Sequence, residues 1–248
     1  MSCSLFISDL HLGPERPEKL ALFKDLLRGP ALQARTLYIL GDLFDQFWVG
    51  NDDRTDPNPE IIHALKECSG RGVGIFFIRG NRELMLDVGF ENLTGCRLLP
   101  DEAVIELAGE KVLLMHGDRL CSDDVRYQRY RRFMESPLTK RIFHTLPHAA
   151  RIRLSHGLRP WMRRSKLKKP EIIVDVNQAA VEQFMRDHSV ARLIHGHTHR
   201  PGRHAFPLDG KNAERIVLGD WYESDSVLVC RGGDYRLMPA SELVRGEE

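Results

Sequence analysis

Five short apolar runs in this chain each end in a cluster of glycine, acidic, amide or imidazole residues, always in the same order along the sequence. Leu5–Ser8 leads into Asp9-Leu10-His11, and Leu37–Leu40 into Gly41-Asp42-Leu43-Phe44-Asp45. Gly74–Ile78 leads through Arg79 into Gly80-Asn81-Arg82-Glu83, and Lys111–Met115 into His116-Gly117-Asp118. Arg192–Ile194 leads into His195-Gly196-His197-Thr198-His199. Aliphatic runs without polar alternation suit strands covered on both faces. Helical patterns over Pro17–Arg28 and Pro59–Ser69 separate the first three runs, which predicts a β-α-β-α-β start. In open α/β sheets, ligands bind beyond the carboxyl ends of the strands, where these clusters converge. Further runs at Ala103–Leu107, Arg215–Leu218 and Ser226–Cys230, with a helical pattern over Asn177–His188, predict a layered α/β fold with two packed sheets.

With 42% apolar and 29% charged residues, the 248-residue chain is excluded from the disordered, collagen-like and disulfide-dense classes. Its longest apolar stretch, Val73–Ile78, is too short to span a bilayer. The start reaches Asp9 without a basic leader, so no signal peptide is expected. Cys3, Cys68, Cys96, Cys121 and Cys230 are scattered and odd in number, which predicts reduced thiols of a cytosolic chain.

A net charge of +1 conceals a strong segregation. Between Arg126 and Lys169 there are fourteen Lys or Arg and one acid, Glu135, which gives this segment +13; the rest of the chain, with 22 bases and 34 acids, carries −12. Arginine dominates, which suits bidentate phosphate binding. The same stretch lacks a strand signal and is punctuated by Pro137, Pro147, Gly157 and Pro160. It is predicted to be a helical cap over 125–169 inserted in a core of 1–124 and 170–248. No nucleic-acid-reading motif accompanies the charge, so no nucleic-acid partner is expected.

Taken singly, each cluster has an ordinary structural use. Gly-Asp before a helix is a common N-cap, and His-Gly-His can be buried imidazoles satisfied by backbone carbonyls. Five such clusters in order behind five strands are another matter. Together they place Asp9, His11, Asp42, Asn81, His116, His195 and His197 at one sheet edge, too many ligands for one tetrahedral ion and about right for two ions sharing a carboxylate. Oxygen and imidazole donors favour two Mn²⁺, with Mg, Co, Fe or Zn as alternatives. Such pairs clamp phosphoryl groups and activate water, which predicts hydrolysis of a phosphate ester or anhydride.

The series D-x-H, G-D-x-x-D, G-N-[HR]-[DE], H-G and G-H-x-H resembles the calcineurin-like metallophosphoesterase superfamily, whose fold is a four-layer αββα sandwich. The resemblance implies one metal on Asp9, His11, Asp42 and His197, and a second on Asp42, Asn81, His116 and His195. Asp45 and Asp118 would orient these ligands. In the common pattern a histidine follows Gly-Asn and assists the leaving alkoxide; here that position is Arg82. An arginine stays protonated and stabilises charge rather than donating a proton, which favours a phosphate leaving group. Gly80-Asn81-Arg82-Glu83, L-L-M-H-G-D-x-L-C at 113–121, the Arg-rich insertion, L-I-H-G-H-T-H-R-P at 193–201 and V-L-G-D-W at 217–221 resemble the UDP-2,3-diacylglucosamine pyrophosphohydrolases of lipid A synthesis.

That resemblance implies metal-dependent hydrolysis of UDP-2,3-diacylglucosamine to UMP and 2,3-diacylglucosamine 1-phosphate by a peripheral protein on the cytoplasmic side of the bacterial inner membrane. Asp42, Arg82 and His195 would be catalytic, with Asn81, Arg82, Asp124, Lys169 and His195 binding substrate. An anionic membrane surface would be the second partner. Asp123 adjoins Asp124, and Tyr127, Tyr130 and Arg131 are candidates for the pocket border. Met162 and Lys166 depart from the family's polar pair, with Ser165 nearby but out of register, and Glu83 replaces the usual aspartate. Apolar residues from Ile142 to Met162 give the cap a stripe suited to acyl chains. The alternative is another metallophosphoesterase acting on a soluble nucleotide diphosphate or phosphodiester.

Overall fold

The computed structural model describes residues 3–50, 57–155, 157 and 175–247. One sheet has six strands in the order β11-β10-β1-β2-β3-β4: β1 (Cys3–Ile7), β2 (Thr36–Ile39), β3 (Gly74–Phe77) and β4 (Arg97–Leu98) run parallel, and β10 (Ser226–Arg231) and β11 (Asp234–Pro239) add antiparallel strands at one edge. The second sheet has five, β5-β6-β7-β9-β8, in which β6 (Glu110–Met115), β7 (Arg192–His195) and β9 (Lys211–Val217) are parallel. β5 (Glu102–Leu107) and β8 (Gly202–Leu208) flank them in antiparallel pairing.

Alternate side chains of each central strand enter different cores. From β1, Leu5 and Ile7 face the helices α1 (Pro17–Arg28) and α3 (Asn58–Gly70), while Phe6 joins Tyr38, Leu114, Ile194 and Ile216 between the sheets. On the far side of the second sheet, Leu113, Met115 and Leu193 pack against Val181 and Met185 of α8 (Gln178–Asp187). The result is helices, sheet, sheet, helix, the four layers expected. α1 shows why the local sequence complies. Pro17 opens it, Arg28 closes it at the negative end of the dipole, and Leu20, Phe23, Leu26 and Leu27 form one buried face. Each such large side chain contributes about 1.5–3 kcal/mol on full burial.

The strand expectations omitted β4, β8 and β11. The latter two are edge strands: β8 carries Pro207 and is mostly exposed, and β11 alternates Asp234-Tyr235-Arg236, so neither has a continuous apolar run.

After the turn at Asp118–Leu120 come α5 (Val125–Glu135), α6 (Pro137–Thr145) and α7 (148–155). Phe143 of α6 packs with Val49 and Met85 of the core, alongside Met134 and Ile152. Among the described residues of this segment, two bases are internal braces. Arg151 donates to the Val49 carbonyl at 2.7 Å, and Arg131, 2% exposed, bonds Asp118 at 2.6 Å, Asp101 at 3.0 Å and Glu135 at 2.8 Å. Leu158, Trp161, Met162, Ser165, Lys166 and Lys169 lie outside the described residues.

Candidate metal centre

Parallel strands put their carboxyl ends on one edge of each sheet, and the turns that follow lock the two edges together. Asp9 N–H donates to the Gly41 carbonyl at 3.0 Å and His11 N–H to that of Asp42 at 2.9 Å, extending the β1–β2 pairing past the strands. Within the second sheet, Gly196 N–H donates to the His116 carbonyl at 2.8 Å, extending the β6–β7 pairing, and across the two sheets His197 N–H donates to Asp9 Oδ2 at 2.7 Å. The turns are strained. Asp9, His11, Asp42, His197 and His199 have φ of 56°, 47°, 52°, 72° and 57°, in the left-handed region that costs a non-glycine about 1–2 kcal/mol.

Gly196 is where backbone must pass closest, because a Cβ there would overlap Ser8 Oγ and Asp9 Oδ2. Gly196→Ala is therefore expected to cost about 2 kcal/mol of stability, measured by denaturant unfolding, and to displace Asp9. An unchanged unfolding midpoint would show that the turn is looser than this.

Among the described residues, two groups of ligand atoms form: Asp9 with His11 and His199, and Asp9 with Asp42 and His116. Asp42 spans them, with Oδ2 3.7 Å from His11 Nε2 and Oδ1 3.8 Å from His116 Nε2. Its Oδ1 also accepts from Arg82 N–H at 3.0 Å. His116 Nδ1 faces the Leu40 carbonyl at 2.7 Å, which turns Nε2 toward Asn81 Oδ1 at 3.3 Å and His197 Nδ1 at 3.2 Å. Glu83 is fully buried and ties the turns together, accepting from Asp42, Phe44 and Gly80 N–H at 2.8, 3.0 and 3.2 Å. Burial and the adjacent Asp42 carboxylate push its carboxyl up to about 8.

The electrostatics are those of a site built around positive charge. Burial would raise Asp9, but the His199 contact and three neighbouring imidazoles hold it below the usual carboxylate range. Burial drives His197 down to about 4, keeping it neutral. His199 is opposed by burial, yet Asp220 and Asp9 carry it up to about 9, so a proton competes there with any cation. Asp9 Oδ1 and His11 Nδ1 are buried without hydrogen-bond partners among the described residues. Buried carboxylates, an amide oxygen and neutral imidazoles pointing at common points fit hard to borderline divalent ions.

Of the seven expected ligands, Asp9, His11, Asp42, Asn81, His116 and His197 meet here, and His195 does not. Its Nδ1 lies 2.8 Å from the Gly196 carbonyl and its Nε2 3.4 Å from Arg215, away from both groups. His195 is still part of β7, paired with Val217, so the strand pleat fixes its direction; burial takes it down to about 3. His199 takes the place beside Asp9 and His11 that was expected of His197, and His197 sits beside His116 instead. The signal was present in Gly196-His197-x-His199, the two residues after the strand with positive φ.

Arg82 lies at the lip, its guanidinium 5.2 Å over the Phe47 ring and its Nε–H without a partner among the described residues. Asp45 meets Tyr222 Oη at 3.4 Å rather than a ligand. Asp118 bonds Tyr127 Oη and Arg131, anchoring α5, whose Tyr127 ring stacks 6.4 Å from that of His197. Asp124 caps α5, accepting from Tyr127 N–H at 3.1 Å, and Asp123 accepts from Asn177. One residue of a quoted motif had been given no role. Asp220, behind β9, holds His199 Nδ1 at 2.9 Å, and Gly219-Asp220 after an apolar run repeats the pattern of Gly41-Asp42.

The calcineurin-like phosphoesterase family matches residues 4–201. A UDP-2,3-diacylglucosamine hydrolase of Aeromonas hydrophila is 45% identical over 94% of this chain and 97% of its own. One of Aliivibrio fischeri is 45% identical over 90% and 92%, and one of Pseudomonas putida 46% over 95% and 98%. With the ligand-bearing turns in place on the expected strands, this chain belongs to the calcineurin-like phosphoesterase family and, within it, to the group of UDP-2,3-diacylglucosamine hydrolases.

Proposed function

We propose that this protein hydrolyses the pyrophosphate bond of UDP-2,3-diacylglucosamine, releasing UMP and 2,3-diacylglucosamine 1-phosphate in lipid A biosynthesis. Arg82 is the observation that carries the pyrophosphate reading. Its guanidinium puts a permanent charge near His11 and Tyr222, with an Nε–H that has no partner among the described residues, where a leaving phosphate needs charge neutralised rather than a proton delivered. Asp9, His11, Asp42 and His199 would hold one Mn²⁺, and Asp42, Asn81, His116 and His197 the other. When bound, such ions polarise phosphoryl oxygens and acidify water. The residues do the rest: Asp42 sets the spacing of the two positions, Glu83 fixes the Asp42 turn, and Arg82 orients the phosphoryl oxygens.

The segment 125–169 acts as a cap over the core of 1–124 and 170–248 in this reading. Phe133, Leu138 and Ile142 are 65%, 67% and 54% exposed and alternate with the exposed Arg132 and Arg141. That face suits acyl chains and an anionic membrane surface on the cytoplasmic side of the inner membrane. No helix among the described residues is long and apolar enough to cross a membrane, so attachment would be peripheral. Asp124 and Lys169, at the two ends of the segment, are the proposed further substrate contacts.

Turnover of detergent-dispersed UDP-2,3-diacylglucosamine in preference to UDP-glucose or ADP-ribose is the expected result; preference for either soluble compound would overturn the substrate. Arg82→Ala is expected to lower kcat about 10²-fold, with Mn²⁺ binding retained, because one charge-stabilising donor is removed. An unchanged kcat would remove Arg82 from the chemistry.

A further inference from the structure

We infer that Asp220 is a positioning residue that fixes the ring nitrogen with which His199 binds the ion beside Asp9 and His11; this rests on the metal-centre reading above. His199 Nδ1 lies 2.9 Å from Asp220 Oδ2, while Nε2 faces Asp9 Oδ1 at 3.3 Å without a hydrogen bond between them. A carboxylate on Nδ1 keeps the proton there and leaves the Nε2 lone pair for the centre, the arrangement by which carboxylates set tautomer and orientation in metal-binding histidines. His199 needs such a hold, because its backbone is left-handed and its side chain is 26% exposed.

Asp220 is itself rigid. Its Oδ1 accepts from Tyr222 and Glu223 N–H at 2.9 Å each, which leaves Oδ2 for His199. Its carbonyl accepts from Ser224 Oγ at 2.8 Å. The next residue, Trp221, is fully buried against Phe23 and donates its backbone N–H to the Asp9 carbonyl at 3.1 Å. The turn that carries Asp220 is thus tied to the strand end that carries Asp9, so both partners of the His199 ring are set in one frame.

Two substitutions separate this role from a merely structural one. In Asp220→Asn an amide N–H faces His199 and reverses the tautomer, and in Asp220→Ser the hydroxyl still accepts from the turn while the histidine loses its partner. Mn²⁺ titration of the full chain, followed by electron paramagnetic resonance of the free ion, is the measurement. Both variants are expected to bind one of two ions 10–100-fold more weakly, with the other within about threefold of wild type. In a His199→Ala background, Asp220→Asn is expected to cause no further loss. Wild-type affinity for both ions in the variants, or an equal additional loss in the His199→Ala background, overturns this inference alone. A wild-type chain that takes up no Mn²⁺ overturns it together with the metal-centre reading.

Discussion

Replacing Asp42 by alanine is expected to lower turnover by at least about 10³-fold and to abolish the tight binding of both ions, since one carboxylate faces both ligand groups. The remaining ligands are imidazole or amide apart from Asp9, which is then the only carboxylate left in the paired groups. Backbone strain is a second effect, because Asp42 has φ of 52° and alanine tolerates that region less well than aspartate. Asp42→Asn separates the two: it keeps the left-handed tolerance and an acceptor for Arg82 N–H, so its unfolding midpoint should stay near wild type while turnover is lost. Substantial turnover by either variant at saturating Mn²⁺ would contradict a shared carboxylate.

The second large effect concerns the attachment of α5. Arg131 is the counter-ion of the fully buried Asp118, and it also meets Asp101 and Glu135. Burial would raise Asp118, but Arg131 and the nearby histidines keep it below its ordinary value. Arg131→Met strands that carboxylate, and the expected cost is about 3–5 kcal/mol at pH 7. The sign with pH follows from linkage. In the wild type a depressed Asp118 adds stability above its unfolded pKa, lost as pH falls through the folded one. In the variant the carboxyl is pushed up and takes a proton, so the difference between the two proteins should shrink below about pH 4. Asp118→Asn in the Arg131→Met background should recover part of the loss, because no buried charge then remains unpaired. Equal unfolding free energies for wild type and Arg131→Met at pH 7 would show that the buried ion pairs contribute nothing to holding α5.

The strands that carry the site were legible because they are covered on both faces, which leaves continuous apolar runs such as Leu37–Leu40 and Lys111–Met115. The edge strands β8 and β11 were not, since they need only one buried face; β5, at the other edge of the second sheet, was expected because Ala103-Val104-Ile105 keeps an apolar run. The same contrast holds at the centre. Asp9, His11, Asp42, Asn81 and His116 each follow a strand that ends cleanly, and the sequence order alone places them at one edge. In His195-Gly196-His197-Thr198-His199 the strand stops partway through the motif. Simple alternation points all three imidazoles the same way, whereas positive φ at His197 and His199 redirects two of them into the centre and leaves His195 in the sheet. Asp220 stood inside the V-L-G-D-W motif without a role, because Gly-Asp after a strand was assigned chemistry only where a histidine or a second carboxylate followed. The arginines show the converse limit: composition marks a basic segment but not that Arg131 and Arg151 are buried braces.

Hydrolysis in which water adds to the uridylyl phosphorus and 2,3-diacylglucosamine 1-phosphate leaves, at a centre whose residues would hold two ions, is tested most directly with the Mn²⁺-loaded protein, UDP-2,3-diacylglucosamine and water enriched in oxygen-18. Phosphorus-31 resonance should show UMP carrying the label and unlabelled 2,3-diacylglucosamine 1-phosphate. Label on the sugar phosphate, or no turnover by protein that holds two ions, would contradict it.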